Sequence, residues 1–266
     1  MAALIAVSIG NTRTRVGVFV DGQLEPARAL PNTDIAAIVE AVRAGGDAPI
    51  VMASVNDRVA AEIEAAAERQ SGGGAKGEVA RFGRDLAIPI QNSLEDDSTV
   101  GQDRLLNALG AFSRARQACV IVDCGTAMTV DFVDGEGVFQ GGAIGPGVNM
   151  MLRALHEQTA ALPQVQFEPS PAVHSEADAG AAFGKDTRRA MLLGVQAAAQ
   201  GMVRVLVERY ATAYGGYPQV VATGGDARAL FEGLGGDELV EHIVPDLTLL
   251  GIEAAVRTLE EEGLES

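Results

Sequence analysis

The 266-residue chain carries a net charge of −16, and its 47% hydrophobic and 21% charged residues are typical of a globular protein with one large or two modest domains. No cluster of lysines and arginines is available to neutralise a phosphate backbone, so a nucleic acid is not an expected partner. Apolar runs such as residues 118–122 are too short to span a bilayer, and the N-terminal residues lack the basic start of a secretion signal. We therefore expect a soluble cytoplasmic protein with no membrane partner.

A polar turn near the N-terminus joins two predicted strands. Residues 3–9 form an apolar run of strand length, residues 10–12 interrupt it, and residues 16–20 resume as a second strand. Asp21 and Gly22 then supply the pair that a tight hairpin turn needs. The turn after the first strand offers close backbone approach and side-chain donors suited to phosphate oxygens: Gly10, Asn11, Thr12, Arg13 and Thr14. The run predicts either a phosphate-binding hairpin or an ordinary hairpin with a polar turn.

The same pattern returns at residues 119–135. An apolar strand, an acidic residue, a spacer, a glycine, a threonine, a second strand and an Asp-Gly turn follow one another in that order. Repetition at about half the chain length predicts two similar lobes, each with a hydroxyl-bearing loop. Two such loops that face each other across a cleft would clasp a polyphosphate. The copies differ at one informative position, because the second has Asp123 where the first has Ser8.

Hydrophobic spacing and turn residues predict the remaining elements. Strands are predicted at residues 49–55, 79–82, 86–90 and 219–222. Helices are predicted at residues 34–42, 57–70, 102–114, 148–160, 184–210 and 249–261. Asn32 or Thr33 is expected to cap the first helix. Three loops are predicted at residues 71–77, 141–147 and 162–180, and the last of them suits a lid over a pocket.

Other residues that often carry chemistry are interpreted as structural. The glycines at 71–77 have no following GK[ST] and no clear apolar strand before them, so they do not form a P-loop. Cys119 and Cys124 are five residues apart on a strand and point to opposite faces, which predicts two buried thiols and no disulfide. The three histidines have no partner at metal-ligand spacing and are expected to be structural or surface residues: His156, His174 and His242.

A short motif, GQDR at residues 101–104, leads into a predicted helix. Asp103 near the helix N-terminus is stabilised as a carboxylate by free backbone amides and the helix dipole. On its own this position indicates an ordinary acidic residue of a first turn. A carboxylate within reach of an alcohol can also act as a general base, because phosphoryl transfer depends mainly on positioning and charge stabilisation.

Together these motifs resemble the type III pantothenate kinases of the acetate and sugar kinase, Hsc70 and actin superfamily. The matching pieces are IGNTRTRVGVF at 9–19, GQDR at 101–104, DCGTAMTVD at 123–131, GGAIGPG at 141–147, GKDT at 184–187 and ATGG at 222–225. They occur in the family's order and span nearly the whole chain. The resemblance implies an α/β fold of two ribonuclease-H-like lobes, an actin-like ATPase duplication with a cleft between the lobes. We expect these lobes at residues 1–115 and 116–266.

The resemblance also implies an activity, the ATP-dependent phosphorylation of pantothenate to 4'-phosphopantothenate, the entry step of coenzyme A synthesis. Asp103 would be the base, with Gly101, Gln102 and Arg104 beside the substrate. Thr187 would help to hold pantothenate in a homodimer, and Asp123 would bind a monovalent cation, K⁺ or NH₄⁺, beside Mg²⁺-bound ATP. The residues expected to cradle the ATP phosphates are Ser8, Ile9, Gly10, Asn11, Thr12, Arg13, Thr14, Arg15 and Thr126.

The chain departs from the family pattern at two places. The family's first motif normally reads D-x-G-N-T, whereas Ser8 here replaces a carboxylate that helps to place magnesium. Relatives commonly carry a tyrosine that contacts pantothenate before GQDR, whereas residues 89–94 contain no aromatic side chain. Two alternatives stay open on this basis. One is a catalytically weak paralogue with a binding or regulatory role, and the other is a kinase for another small hydroxy acid or sugar.

Overall fold

A computed structural model describes residues 3–71, 79–167, 182–232 and 239–264. In chain order the elements are β1 (Ala3–Ile9), β2 (Arg13–Val20), β3 (Gln23–Leu24), β4 (Arg28–Pro31), α1 (Ile35–Arg43), β5 (Ile50–Ser54), α2 (Asp57–Ser71), β6 (Val79–Arg81), α3 (Gln102–Ala115), β7 (Cys119–Cys124), β8 (Ala127–Val133), β9 (Phe139–Pro146), α4 (Val148–Glu157), α5 (Thr187–Tyr214), β10 (Gln219–Thr223), α6 (Ala227–Phe231), β11 (His242–Ile243) and α7 (Leu247–Leu264).

The chain divides into two compact units, each built on its own sheet. The described residues of the first unit lie within 1–116, 135–140 and 246–266, and those of the second lie within 117–134 and 141–245. The expected lobes, 1–115 and 116–266, differ from these units at two segments. Residues 246–266 belong with the first unit because α7 packs along α3 and against β1. Residues 135–140 belong with it because Phe139 forms a bridge with Asn92. A boundary drawn from sequence alone misses such a return of the chain.

The first sheet has the strand order β3-β2-β1-β5-β6, and β4 also pairs with β2. β1 and β2 are antiparallel, whereas β1, β5 and β6 are parallel. Successive residues of β1 face opposite sides of the sheet. Ile5 and Val7 pack in the cluster that contains residues of α1 and α2, while Leu4 and Ala6 pack in the cluster that contains residues of α3 and α7. β1 is therefore buried on both faces, as its apolar run predicts.

The second sheet repeats this arrangement with the order β11-β10-β7-β8-β9. β7 and β8 are antiparallel, and β7, β10 and β11 are parallel. In both sheets the first strand of the hairpin is central, with the second hairpin strand (β2 or β8) on one side and two parallel strands (β5 and β6, or β10 and β11) on the other. The repeated motif therefore correctly predicted a duplicated α/β fold.

Several local predictions were wrong. Residues 86–90 form no strand, because the chain turns at Gly83, whose φ of +80° favours glycine, and only a single bridge joins Phe82 to Leu86. Most of the predicted loop at 141–147 belongs to β9, since β8 offers an edge on which an extended glycine-rich segment can pair. The predicted loop at 71–77, apart from its first residue, and residues 168–180 of the predicted lid lie outside the described residues.

Helix α5 is the longest helix that the structure describes, with 28 residues. Every fourth residue on one face is buried, and all but the last belong to the core of the second unit: Met191, Val195, Ala199, Val203, Val207 and Ala211. The helix is also long and apolar enough, by length and composition, to cross a membrane, and 28% of its most apolar stretch is buried. Its other face exposes Leu193 and Val205.

Candidate active site

The loop between β1 and β2 is a compact turn at the carboxyl end of β1. The Gly10 N–H donates to the Arg13 carbonyl at 3.0 Å, which closes the turn. Asn11, Thr12 and Arg13 are exposed to solvent on the outer side of the turn. The Ile9 side chain is buried, and its carbonyl accepts from the Val55 N–H, so Ile9 anchors the loop to the sheet.

The buried side chain of Asn32 supports this loop from behind. Its Nδ2 donates to the Gly10 carbonyl at 2.8 Å, and its Oδ1 accepts from the Thr14 hydroxyl at 2.8 Å. The predicted role of Asn32 or Thr33 as a helix cap was wrong, because Asp34 caps α1 by accepting from the Ala37 N–H. Thr14 is fully buried, so its hydroxyl supports Asn32 and does not face the exposed side of the loop where a phosphate was expected. Sequence reasoning missed this role because an asparagine just before a helix is ordinarily a cap.

Ser8 and Arg15 are paired across the β1–β2 ladder. Directly paired residues project to the same face, so Ser8 and Arg15 are neighbours there. The Arg15 guanidinium forms an ion pair with Asp246, the residue just before α7, and both side chains are about one-third exposed. Arg15 was expected to bind phosphate, and in this arrangement its charge is already paired with a carboxylate.

The GQDR residues form the N-terminus of α3. Gly101 is the extended N-cap residue, and the Arg104 N–H donates to Asp103 Oδ1 at 2.9 Å. A Cβ at Gly101 would lie 2.5 Å from Asp103 Oδ1, so glycine is needed for this placement of the carboxylate. The Arg104 guanidinium carbon lies 5.7 Å from the centroid of the buried Phe139 ring, a cation–π arrangement that fixes the direction of the arginine.

Further contacts hold α3 in place within the first unit. The Gln102 side chain packs on the turn at Gly83, and its Oε1 is buried without a hydrogen-bond partner among the described residues. The Thr248 hydroxyl of α7 donates to Asn107 Oδ1 at 2.7 Å. Asn107 lies one helical turn after Asp103, on the same side of α3. α7 is thus in contact with α3, the helix that carries Asp103. Asp246, the residue just before α7, contacts Arg15.

In the second unit Asp123 lies near the end of β7, close to the turn between β7 and β8. It is paired in register with Thr223 of β10 on one side. Gly224, with a φ of +91°, follows Thr223, and a Cβ there would lie 2.6 Å from Asp123 Oδ1 and 2.5 Å from the Cys124 carbonyl oxygen. Carboxylate and carbonyl oxygens are the ligands that hard cations take, so this donor set fits the expected cation.

Thr126 lies in the β7–β8 turn and is exposed. Its carbonyl accepts from the N–H of Gly147, the N-cap residue of α4, at 3.2 Å. The turn is therefore backed by a helix N-terminus, which favours nearby anions. Thr187 is exposed at the start of α5, where the Asp186 side chain caps the helix through the Arg189 N–H. It thus stands on a different element from Asp123 and Thr126.

The cysteines, His156 and His242 lie among the described residues, whereas His174 lies outside them. Cys119 and Cys124 are buried free thiols. Burial raises the pKa of the Cys124 thiol, and the nearby carboxylates of Asp123 and Asp226 raise it further. His156 Nδ1 is bonded to the Leu162 carbonyl. In the described part of the chain, no group of three or more acidic, histidine or cysteine side chains is arranged to hold a metal ion.

Comparison with known proteins points to one family. A relative from Rhodopirellula baltica, a type III pantothenate kinase, is 43% identical over 150 residues, which are 56% of this chain and 51% of the relative. A type III pantothenate kinase from Acidiphilium cryptum is 35% identical and is matched over 60% of its length. The chain thus spans about half to three fifths of the length of these relatives. A type III pantothenate kinase from Dehalococcoides mccartyi is 30% identical over 94% of this chain and 93% of its own.

Structural similarity supports the fold independently. The ethanolamine utilization protein EutJ from Carboxydothermus hydrogenoformans aligns with a TM-score of 0.51 at 14% identity, over 95% of this chain and 89% of that protein. The type III pantothenate kinase family model matches residues 4–209, which contain the loops of both units, GQDR and the start of α5. The chain therefore belongs to the type III pantothenate kinase family.

Proposed function

We propose that the protein is a cytoplasmic transferase that phosphorylates pantothenate with ATP. The observation that carries the proposal is the N-terminus of α3, where Gly101 leaves room for the Asp103 carboxylate and Phe139 fixes the direction of Arg104. A carboxylate and an oriented guanidinium at one helix end suit an acidic hydroxy compound such as pantothenate. Gln102 completes the substrate residues, and Thr187 of α5 would contact the same substrate.

The reaction needs a base and a cradle for phosphates. Asp103 takes the proton from the pantothenate hydroxyl as the hydroxyl oxygen attacks the γ-phosphorus of ATP. The bond between the γ-phosphorus and the bridging oxygen breaks, and ADP is released. The exposed donors of the first loop, Asn11, Thr12 and Arg13, together with Thr126 of the second, would bind the phosphates. The other expected phosphate residues would bind phosphate through their backbone amides or support the first loop: Ser8, Ile9, Gly10, Thr14 and Arg15.

Two cations complete the proposal. Magnesium on the ATP phosphates would neutralise charge that develops during transfer, and it is commonly bound through one or two carboxylates plus phosphates. Asp123, with the Cys124 carbonyl nearby, would hold K⁺ or NH₄⁺.

We also propose a homodimer formed through the exposed face of α5. Leu193 and Val205 are exposed there. A Cβ at Gly194 or Gly201 would have no atom of the described residues within 4 Å, so the face leaves room for close helix contact. A second copy of the chain is the proposed occupant because Thr187, at the start of the same helix, is a substrate residue. Sedimentation should give a dimer, and a monomer at micromolar concentration would contradict this part of the proposal.

The activity is tested with Asp103→Asn. The wild type should convert ATP and pantothenate into ADP and 4'-phosphopantothenate, and the variant should lose about two orders of magnitude or more in turnover with ATP binding retained. Asp57→Asn is the matched control, because it removes an acidic first-turn residue from α2 and should leave turnover unchanged. A wild type without pantothenate kinase activity would overturn the function, and near wild-type turnover in Asp103→Asn would remove Asp103 from the mechanism.

A further inference from the structure

We infer that Asn32 is a positioning residue of the phosphate loop, which sets the direction of the Asn11 N–H toward bound phosphate. The inference rests on the proposed function, since it assumes that the loop at residues 10–13 binds the ATP phosphates. Asn32 follows β4 and lies 22 positions from Gly10, so its role arises only in the folded chain.

Three hydrogen bonds tie Asn32 to the loop. Its Nδ2 donates to the Gly10 carbonyl at 2.8 Å, its Oδ1 accepts from the Thr14 hydroxyl at 2.8 Å, and its own N–H donates to the Thr12 carbonyl at 3.0 Å. Asn32 is 5% exposed and Thr14 is fully buried. The loop is therefore held at its start, its middle and its end by one residue behind it.

The bond to the Gly10 carbonyl determines where the next amide points. In a trans peptide the C=O and the following N–H point in opposite directions. Because the Gly10 carbonyl is turned inward to Asn32, the Asn11 N–H is turned outward, to the exposed side of the loop. Among the described residues the Asn11 N–H has no hydrogen-bond acceptor, which leaves it available to a phosphate oxygen.

Only a side-chain amide meets these demands at this position. The Gly10 carbonyl needs a donor and the Thr14 hydroxyl needs an acceptor, and an asparagine supplies both from one short side chain. Aspartate would supply no donor, and alanine would leave the Gly10 carbonyl and the buried Thr14 hydroxyl without these partners. Without Asn32 the Gly10–Asn11 peptide plane is free to rotate, and the Asn11 N–H loses its fixed direction.

The test compares Asn32→Ala with Asp34→Ala. Asp34 lies in the same connection and caps α1, so its loss weakens the same segment without touching the loop. We expect Asn32→Ala to raise the Kd for ATP, measured by equilibrium dialysis, at least tenfold, and to raise the KM for ATP while the KM for pantothenate stays within twofold. Both variants should lower the thermal midpoint of unfolding by similar amounts. Asp34→Ala should nevertheless bind ATP like the wild type.

A second pair of variants guards against misfolding of Asn32→Ala. Thr14→Val removes the hydroxyl that orients Asn32, whereas Thr14→Ser retains it. Thr14→Val should weaken ATP binding several-fold, and Thr14→Ser should restore most of it.

The outcomes separate this inference from the proposed function. A wild type that binds no ATP would overturn both. A wild type that binds ATP but does not phosphorylate pantothenate would overturn the function, and the dialysis of the variants would still decide the role of Asn32. If Asn32→Ala binds ATP as well as Asp34→Ala, or if it does not fold and Thr14→Val binds ATP as well as Thr14→Ser, the inference is wrong.

Discussion

The two sheets end their central hairpins in similar turns, and different groups support the two turns. In the first unit the side chain of Asn32 donates to the Gly10 carbonyl. In the second unit backbone amides bind the carbonyls of the turn. The Gly147 N–H donates to the Thr126 carbonyl, and the Asp226 N–H donates to the Cys124 carbonyl. The turn of the first hairpin is thus held by a side chain, and the turn of the second is held by neighbouring backbone.

The charges beside the turns differ as well. Ser8 at the end of β1 stands opposite Arg15, whose charge is paired with Asp246. At the corresponding place in the second unit the carboxylate of Asp123 stands opposite Thr129. The first strand therefore carries no carboxylate beside its turn, where Arg15 and Asp246 form an ion pair, whereas the second strand has a carboxylate. Under the proposed function the first turn binds phosphate and the second lies beside the cation.

The largest expected effect comes from Gly147→Ala. The new Cβ would overlap the Gly125 carbonyl oxygen and lie 2.6 Å from the Thr126 carbonyl oxygen, and backbone cannot rotate away as a side chain can. We expect a loss of about 3 kcal/mol or more in the free energy of unfolding, measured by urea denaturation, and loss of kinase activity.

Gly216→Ala is its control in the same unit, because its Cβ would make only an ordinary contact with the Tyr214 ring. That variant should stay close to the wild type in stability. Equal stabilities of the two variants would show that the second turn does not depend on its backbone contacts.

A smaller effect is expected from the monovalent cation. If Asp123 holds K⁺ or NH₄⁺, replacing potassium with sodium should lower turnover about tenfold, equivalent to about 1.4 kcal/mol in the activation free energy. Asp123→Asn should make turnover low in both salts, because the ligand charge is lost. Wild-type turnover that is indifferent to the monovalent ion would contradict the cation site and favour a carboxylate bonded only within its loop.

The smallest effect is expected from Ser8→Asp, which makes the first strand resemble the second. The new carboxylate would stand beside Arg15 and help to position magnesium. The magnesium concentration for half-maximal turnover should therefore fall several-fold, equivalent to about 1 kcal/mol in the free energy of magnesium binding. Ser8→Asn is the matched control, since it has the same shape and no charge. No gain in Ser8→Asp at any magnesium concentration would count against the kinase function.

Much of the fold followed from the sequence. The apolar run of β1, the turn pair at Asp21 and Gly22, and the repeat at residues 119–135 predicted a duplicated α/β fold, which the two sheets confirm. GQDR was predicted at a helix start, and α3 begins at Gln102. These predictions succeeded because strand alternation, helix periodicity and turn chemistry act between residues close together in the chain.

The supports of the candidate site were decided by the tertiary structure. Asn32 looks like a helix cap in sequence, yet β4 pairs with β2 and brings it to Gly10 and Thr14. Asp246 lies 231 positions from Arg15, and only the return of α7 to the first unit makes them partners. Hydrogen bonds and ion pairs of this kind depend on which elements pack together, and local sequence pattern carries no information about that choice. The sequence by itself therefore determined the elements and their repeat, while long-range packing decided which side chains hold the loops in place.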